Sequence, residues 1–325
     1  MAVYLVTGAA GFIASRVSQF LLDSGHSVIG IDNLSDAYDV SLKHWRLAQL
    51  TPHANFAFYE QDICDFDALT KVFQAHPQID GIFNLAARAG VRASVENPWV
   101  FVDTNTVGTL NMLEQATRHN VPKFILASTS SIYGANAPLP TSESADSSHP
   151  LQPYAASKKG AEALCHSYHF LNGIDVTVFR YFTVYGPAGR PDMVMFRFTQ
   201  WITEGRPVHL NGDGEQSRGF TYLDDIARGT ILGLKPVGFE VVNLGGHETI
   251  TINQMIARLE ERIGKKANIE YHPFHKADML SNHADVSKAR KILGWKPQVD
   301  LEEGMGHLVD WYMQERSWAS QVLTQ

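Results

Sequence analysis

A short strand pattern that leads through two glycines into a helical pattern restricts the fold of this chain more than any other feature. Val3 to Val6 is typical of a buried strand, and apolar residues recur at helical spacing from Phe12 to Leu22. Between them, Gly8 permits a tight turn, and Gly11 lets the backbone approach a pyrophosphate at the free N–H groups of the helix. An ordinary turn between a strand and a helix would have a similar sequence, so the rest of the chain must show whether this turn binds a dinucleotide.

The same alternation continues through the first part of the chain. Further strand patterns lie over 28–31, 56–59, 81–85, 124–127 and 176–179, and helical patterns lie over 68–74, 100–118 and 154–171. Strands that alternate with helices form right-handed crossovers and a parallel sheet with helices on both faces. The sequence therefore predicts an α/β fold with a doubly wound parallel (Rossmann) sheet and a second, smaller α/β substrate domain.

The alternation weakens after about residue 183, where Gly and Pro cluster at 186–187, 205–207 and 212–214. We expect a dinucleotide-binding domain over 1–182 and a smaller domain over 183–325. The strand pattern near 220–243 predicts that the chain returns to the first domain over about 219–244. A length of 325 residues is enough for two such units.

Charge and cysteine content exclude several classes of function. The formal net charge is −7, from 27 Lys+Arg and 34 Asp+Glu, without a run of like charges. Nucleic acid and anionic membranes need a basic surface, so we expect neither as a partner. Cys64 and Cys165 fit neither a metal motif nor a disulfide framework, and the chain starts without a signal-peptide pattern. We therefore expect a cytoplasmic protein with reduced cysteines.

Two pairs of histidines have a spacing that could bind a metal ion. His166 and His169 are three positions apart, as are His272 and His275. The sequence offers no evident third ligand for either pair, so we interpret them as solvated or structural residues and predict no metal site.

Carboxylates at the predicted strand ends indicate which dinucleotide binds. Asp32 lies 21 residues after Gly11, where its carboxylate can accept hydrogen bonds from both ribose hydroxyls and would repel a 2′-phosphate. NAD is therefore favoured over NADP. Asp62 follows the third strand pattern, where it could bind the adenine amino group or cap the next helix.

Tyr154 and Lys158 are four positions apart in a helical pattern and so share one face. A phenol with a pKa of roughly 10 needs a depression of about three units, or about 4 kcal/mol, to act as a base near pH 7. A cation about 4 Å away supplies a similar amount at an effective dielectric constant near 20. Lys158 and an oxidised nicotinamide could together suffice, although many such pairs lie on solvated helix faces.

Four hydroxyl residues, 128–131, follow the strand pattern 124–127. They fall at the carboxyl edge, where α/β sheets bind ligands, and could hydrogen-bond a polyol or a carboxylate. A turn that satisfies its own backbone is the alternative.

Motifs along essentially the whole chain resemble those of the extended short-chain dehydrogenases/reductases that act on nucleotide sugars. The matching segments are residues 7–14, 32–33, 84–87, Asn105 with Gly108, 128–131, Tyr154 with Lys158, 180–187, 218–225 and 293–297. Three positions depart from that family: Ala14 replaces a third glycine, Gly219 replaces an Asp, and 275–278 replaces a Pro-Gly-Asp turn.

The resemblance implies a role for each matching residue. Tyr154 would remove the proton from a sugar hydroxyl while hydride passes to NAD, Thr129 would hydrogen-bond the same oxygen, and Lys158 would hold the nicotinamide ribose and lower the pKa of Tyr154. The implied cofactor-binding residues are Gly8, Gly11, Phe12, Ile13, Asp32, Asn33, Lys43, Asp62, Ile63, Leu85, Ala86, Ala87, Asn105, Tyr154, Lys158 and Tyr181. The implied substrate-binding residues are Arg88, Thr129, Ser130, Ser131, Tyr154, Thr183, Arg190, Arg218 and Asp278.

The pair Ser130-Ser131 narrows the reaction, because 4,6-dehydratases of this family carry Asp-Glu there and decarboxylases carry a Glu at the second position. Without those carboxyl groups, elimination lacks its acid and base. The remaining reaction is 4-epimerisation, with no net redox change. Thr183 replaces the Asn of neutral-hexose epimerases, and 181–193 resembles epimerases of UDP-glucuronate.

The sequence therefore favours the interconversion of UDP-glucuronate and UDP-galacturonate. A 4-epimerase of UDP-glucose or UDP-N-acetylglucosamine and a non-catalytic NAD-binding module are the alternatives. Arg190 and Arg218 are the preferred cations for the diphosphate, because a guanidinium matches phosphate oxygens, whereas Arg88 and Arg92 could lie in a solvated loop. The resemblance also implies a homodimer, with helices 100–118 and 154–171 forming a four-helix interface.

Overall fold

The computed structural model describes residues 1–274 and 281–324. Its strands are β1 (Val3–Thr7), β2 (Ser27–Asp32), β3 (Phe56–Glu60), β4 (Gly81–Asn84), β5 (Lys123–Thr129), β6 (Asp175–Tyr181), β7 (Thr183–Tyr185), β8 (Pro207–Asn211), β9 (Ser217–Tyr222), β10 (Phe239–Leu244), β11 (Glu248–Thr251) and β12 (Asn268–His272). Its helices are α1 (Phe12–Asp23), α2 (Ser41–Leu50), α3 (Phe66–Ala75), α4 (Val91–Glu96), α5 (Pro98–Val102), α6 (Gly108–Arg118), α7 (Pro153–Asn172), α8 (Val194–Glu204), α9 (Leu223–Leu232), α10 (Ile252–Ile263), α11 (Leu301–Gln314) and α12 (Arg316–Ala319).

The main sheet has seven strands in the order β3-β2-β1-β4-β5-β6-β10, and all its neighbours pair in parallel. This confirms the predicted doubly wound α/β class. Every residue of β5 is buried, as expected for a parallel strand covered on both faces. The strand order reverses between β1 and β4, and sheets of this kind bind ligands at the carboxyl ends of such neighbours. The sheet therefore places a crevice directly after Thr7 and Asn84.

The predicted helical stretch over 100–118 is helical throughout, with one change of winding. A π-helical turn, Asp103–Val107, separates α5 from α6. Its wider winding presents Asn105 to α7, and Gly108 begins α6 against Ile63, where an added Cβ would lie 2.6 Å from the Ile63 side chain. The π-helical turn therefore lies where the chain packs closely against α7 and Ile63, beneath the carboxyl edge of the sheet.

The later part of the chain builds two small sheets. One has the order β11-β9-β7, and the other pairs β8 with β12. Aromatic residues of α8 and α11, including Phe196, Trp311 and Tyr312, form a separate core there. Within the same stretch, α9 packs against α1, and β10 joins the main sheet beside β6. The domain limits at 182 and 183 remain our proposal.

In the part of the chain that the structure describes, no helix combines the length and the apolar character needed to cross a membrane.

Candidate active site

The glycine turn after β1 forms a cradle that side chains would fill. Gly8 has a φ of +70°, and a Cβ there would lie 2.9 Å from the backbone of Ala86. A Cβ on Gly11 would lie 2.7 Å from the carbonyl oxygen of Gly8. Gly11 caps α1 without a side-chain hydrogen bond, so the N–H groups at Phe12 and Ile13 keep the orientation that suits a phosphate. The turn therefore fits the pyrophosphate of a dinucleotide.

Asp32 lies beside this turn at the end of β2. Its Oδ2 accepts from the Ala10 N–H at 3.2 Å, and its Oδ1 accepts from the Leu34 N–H at 2.8 Å. The Lys43 ammonium is 3.2 Å from Oδ1, and both side chains are almost fully buried. These contacts fix the carboxylate where a ribose would follow the pyrophosphate. They also bring together two predicted cofactor-binding residues, Asp32 at the end of β2 and Lys43 on α2.

Asn33 and Asp62 form the next part of the crevice. The Asn33 amide donates to Asp62 Oδ2 at 2.8 Å, and Asp62 Oδ1 accepts from the Cys64 N–H at 2.8 Å. Burial acts to raise the pKa of Asp62, but these hydrogen bonds and the charge of Arg88 outweigh it and lower the pKa. Asp65 occupies the capping position of α3, so the capping interpretation of Asp62 is wrong.

The segment after β4 closes the crevice. Residues 85–87 follow Asn84, and the Ala86 N–H donates to Thr7 Oγ1 at 3.1 Å. Asn105 is fully buried and holds the backbone of Arg88 through two hydrogen bonds of 3.0 Å, while a third joins it to Ser157 on α7. Asn105 therefore fixes the loop against the helix that carries Tyr154.

The side chains of three residues predicted to bind substrate or cofactor, Arg88, Tyr181 and Ile63, do not lie where the prediction placed them or are buried in the core. The Arg88 guanidinium lies 3.4 Å from Ser35 Oγ, on the same side of the crevice as Asp62, and so lies near the cofactor-binding residues. Tyr181 is nearly buried, stacks on Phe179 and shares a 2.8 Å hydrogen bond with Thr230. Its side chain therefore packs in the core beneath the site. Ile63 is likewise buried.

Tyr154, Thr129 and Lys158 meet where β5 ends against the first turns of α7. Burial raises the pKa of Tyr154, although a hydrogen bond with Thr129 and the charge of Arg190 act to lower it. Lys158 donates from Nζ to the Ala127 carbonyl at 2.9 Å. Burial lowers its pKa to about 8. The structure thus places the phenol beside the Thr129 hydroxyl, and the opposite charges of the paired Arg190 and Asp192 both act on it.

A buried polar network beneath these residues was not predicted. Glu162 accepts from Arg180 on β6 and from Ser128 on β5. Arg180 also donates to the Tyr133 hydroxyl at 3.0 Å, and that hydroxyl donates to Asn243 on β10 at 2.6 Å. Glu162 lies one helical turn after Lys158, and this spacing was the sequence signal that could have placed Glu162 near the site. The network holds α7, β5, β6 and β10 together next to Thr129.

The predicted sugar-binding hydroxyls lie in and beside two neighbouring cavities. Ser130 lines one of them, and Asn282 donates to Ser130 Oγ at 3.3 Å. Thr183 lines the other, together with Arg190. The Ser131 N–H and hydroxyl both lie 3.2 Å from Thr129 Oγ1. No sequence signal indicated Asn282, because 152 residues separate it from Ser130.

Arg190 is held close to the glycine turn. It pairs with Asp192, with Nε 3.0 Å and Nη2 2.5 Å from the carboxylate. The buried Arg46 donates to the carbonyl groups of Ala10 and Ala188 and so ties the glycine turn to the loop before Arg190. The predicted diphosphate cation is therefore positioned beside the predicted cofactor site by a residue that the sequence reasoning missed.

Three remaining positions complete the comparison with the sequence. Arg218 lies on β9, and its Nη1 donates to the Ser217 carbonyl at 2.8 Å. A Cβ at Gly219 would lie 2.2 Å from the carbonyl oxygen of Gly246, which explains why a side chain is absent there. Asp278 and the rest of 275–280 lie outside the described residues.

Known proteins provide independent comparisons. The sequence pattern of the NAD dependent epimerase/dehydratase family matches residues 4–245. The chain is 57% identical over 312 residues to the UDP-glucuronate 4-epimerase of Thermodesulfobacterium geofontis, covering 96% of each protein.

Two solved structures share the whole architecture. The UDP-glucuronic acid 4-epimerase of Bacillus cereus, in complex with UDP-glucuronic acid and NAD, gives a TM-score of 0.90 at 38% identity, covering 96% of this chain and 99% of that one. The UDP-glucose 4-epimerase of Thermotoga maritima with UDP-glucose gives 0.89 at 36% identity, covering 97% and 99%. With its glycine cradle, Asp32 and the Thr129–Tyr154 contact, this chain belongs to the NAD dependent epimerase/dehydratase family.

Proposed function

We propose that this protein is an NAD-dependent 4-epimerase that interconverts UDP-glucuronate and UDP-galacturonate. One observation carries the proposal: Tyr154 contacts Thr129 at the end of β5, and the next two residues, Ser130 and Ser131, provide hydroxyls where elimination would need carboxyl groups. The 57% identity to a UDP-glucuronate 4-epimerase supports the same substrate.

The residues that would hold NAD follow the crevice from β1 to α7. The turn at Gly8 and Gly11 would bind the pyrophosphate, Asp32 the adenosine ribose, and Lys158 the nicotinamide ribose. NAD held by these residues would supply hydride chemistry, as acceptor from C4 of the sugar and as donor to the opposite face. The direct cofactor contacts of the other predicted residues, Asn105 and Tyr181 among them, stay predictions.

Tyr154 would accept the proton of the C4 hydroxyl and give it back after the keto sugar has rotated. Thr129 contacts the phenol and would hydrogen-bond the same sugar oxygen, which keeps the proton path short. Because burial raises the pKa of Tyr154 in the protein alone, the positive charges of Lys158, Arg190 and the oxidised nicotinamide must together stabilise the phenolate.

Recognition of the uronate would use hydroxyl groups. Ser130, Ser131 and Thr183 can each donate to a carboxylate, and a hydrogen bond to a charged group contributes about 1.5–3 kcal/mol. Asn282 donates to Ser130 Oγ and so occupies an acceptor site on that oxygen, which directs the Ser130 hydroxyl proton toward the ligand. Arg190 and Arg218 would bind the diphosphate.

The substrate is tested by a panel of sugar nucleotides. Purified protein is incubated with UDP-glucuronate, UDP-glucose, UDP-N-acetylglucosamine or UDP-xylose, and ¹H NMR follows the anomeric signal of each 4-epimer. We expect kcat/KM to be highest for UDP-glucuronate. Preferential turnover of UDP-glucose would favour the neutral-hexose alternative, and NAD binding without turnover of any sugar would favour a non-catalytic module.

We also propose that the protein is a cytoplasmic homodimer. Trp99 on α5 and Phe170 on α7 are 76% and 79% exposed, and Val102 and Val107 add further exposed apolar surface on the α5–α6 side. Burying such surface against its own copy would form the predicted four-helix interface. Light scattering should give twice the chain mass, and Trp99→Asp should give a monomer, whereas Leu323→Asp, at an exposed apolar residue near the C-terminus, should not.

A further inference from the structure

Two imidazoles and a carboxylate converge on the small β8–β12 sheet, away from the proposed active site. His209 lies on β8, and Glu270 and His272 lie on β12. The two strands pair in parallel, with Glu270 opposite His209. Glu270 and His272 are two positions apart, so their side chains share the face of the sheet that His209 also uses.

The distances between the donor atoms match those in a metal site. His209 Nδ1 lies 3.0 Å from His272 Nε2 and 3.3 Å from Glu270 Oε2. A tetrahedral zinc ion with bonds of about 2.0–2.2 Å holds its ligand atoms about 3.3–3.6 Å apart. The two distances from His209 are close to these values, and the ligand atoms of all three residues lie within 4.8 Å of one another.

A metal ion would also resolve the competition for His209 Nδ1. That nitrogen faces both an imidazole nitrogen and a carboxylate oxygen, and a single N–H can donate well to only one of them. An ion in place of this proton would bind all three donors at once. The His209 ring also packs edge-on against Trp201, with ring centres 5.5 Å apart, which restricts its orientation.

We propose that His209, Glu270 and His272 form a binding site for a divalent transition metal, preferably Zn²⁺. Imidazole and carboxylate ligands suit Zn²⁺ and Ni²⁺, whereas Mg²⁺ prefers an all-oxygen set. All three residues are exposed, so water completes the coordination and the ion exchanges with solvent. His272 and His275 had no evident third ligand in the sequence; the fold adds His209 from β8, 63 residues before His272, and Glu270 lies two positions before His272 on β12.

The ion would cross-link two strands that have no other neighbour in the described sheets. An isolated pair of strands is only marginally stable, so metal binding should stabilise this part of the fold. From β8 the chain continues through 212–216 into β9, which carries Arg218. The role proposed for the metal is structural, and the epimerase reaction does not require it.

Isothermal titration of a tag-free protein with Zn²⁺ tests the proposal. We expect one equivalent to bind, Ni²⁺ to compete and Mg²⁺ to have no effect, and we expect the melting temperature to rise with Zn²⁺ concentration. Glu270→Gln and His272→Ala should each weaken binding at least tenfold, because even partners behind the ligands contribute about 10–100-fold. His44→Ala removes an exposed histidine of α2 and should change nothing.

Absorption spectra provide a second measurement that does not depend on stability. Co²⁺ bound at the site should give the visible bands of a coordinated ion with nitrogen ligands, and these bands should disappear in His272→Ala. The proposal is overturned if the wild-type protein binds no Zn²⁺ at millimolar concentration. It is also overturned if Glu270→Gln and His272→Ala bind Zn²⁺ as tightly as His44→Ala does.

Discussion

Breaking the buried ion pair between Glu162 and Arg180 should cost more stability than any surface change. Glu162 Oε1 accepts from Arg180 Nε at 3.0 Å, Oε2 accepts from Nη2 at 2.8 Å, and both side chains are 5% exposed. Glu162→Gln keeps the volume of the side chain but leaves the guanidinium buried beside a neutral amide. Removal of one partner of a buried pair costs about 3–5 kcal/mol, so we expect the free energy of unfolding to fall by that amount.

The matched control is Glu302→Gln. Glu302 Oε1 also accepts from an arginine, from Arg262 Nη2 at 2.7 Å and Nε at 3.1 Å, but the Glu302 side chain is 55% exposed. Exposed pairs contribute about 0–1 kcal/mol, so this variant should unfold almost as the wild type does. Urea titration followed by tryptophan fluorescence gives both values. Equal unfolding midpoints for Glu162→Gln and Glu302→Gln would refute the assignment of the buried network as a structural support of the site.

The same substitution should change the pH dependence of turnover. Burial lowers the pKa of Lys158 to about 8, while the charge of Glu162 acts in the opposite direction. Without the Glu162 carboxylate, the pKa of Lys158 falls further, so the ammonium loses its proton at lower pH. We expect the alkaline decline of kcat to move to lower pH in Glu162→Gln. An unchanged profile would contradict the claim that Glu162 sets the protonation of Lys158 during turnover.

Four further substitutions test the site. Tyr154→Phe should lower kcat by about 10²–10⁴-fold with cofactor still bound, and full activity would refute the base assignment. Asp32→Ala loses charged hydrogen bonds to the ribose, so NAD should bind at least about 10-fold more weakly by fluorescence titration, and unchanged affinity would contradict this role. Asn282→Ala should raise KM for UDP-glucuronate up to about 10-fold and leave UDP-glucose unaffected; an equal effect on both would remove Asn282 from uronate recognition. Gly219→Ala should lower the melting temperature, because its Cβ would meet the Gly246 carbonyl at 2.2 Å, and a wild-type value would contradict the packing argument.

The main sheet could be predicted because each of its early strands is a local apolar run next to a turn signal. The glycine turn, Asp32 and the Tyr154 and Lys158 pair are likewise local patterns. The π-helical turn at Asp103–Val107 could not be predicted, because it depends on how Asn105 and Gly108 pack against α7 and Ile63.

The residues of the site that could not be predicted from the sequence make contacts between segments that are distant along the chain. Asn282 reaches Ser130, and Arg46 joins two loops that are remote in sequence, through side chains whose identity alone has no functional signature. The proposed metal ligands were not foreseen, since the sequence predicted no metal site and His209 lies 63 residues before His272. The orientation of a side chain could not be predicted either. The Tyr181 hydroxyl faces Thr230, whereas its motif suggested a contact with the cofactor.

The central claim is that hydride leaves C4 of UDP-glucuronate and returns to the same carbon. UDP-glucuronate deuterated at C4 is incubated with the purified protein, and NMR and mass spectrometry follow the product. We predict UDP-galacturonate that retains the deuterium at C4 without exchange with solvent. A galacto product that has lost the label to water, or no galacto product at all, would contradict the account.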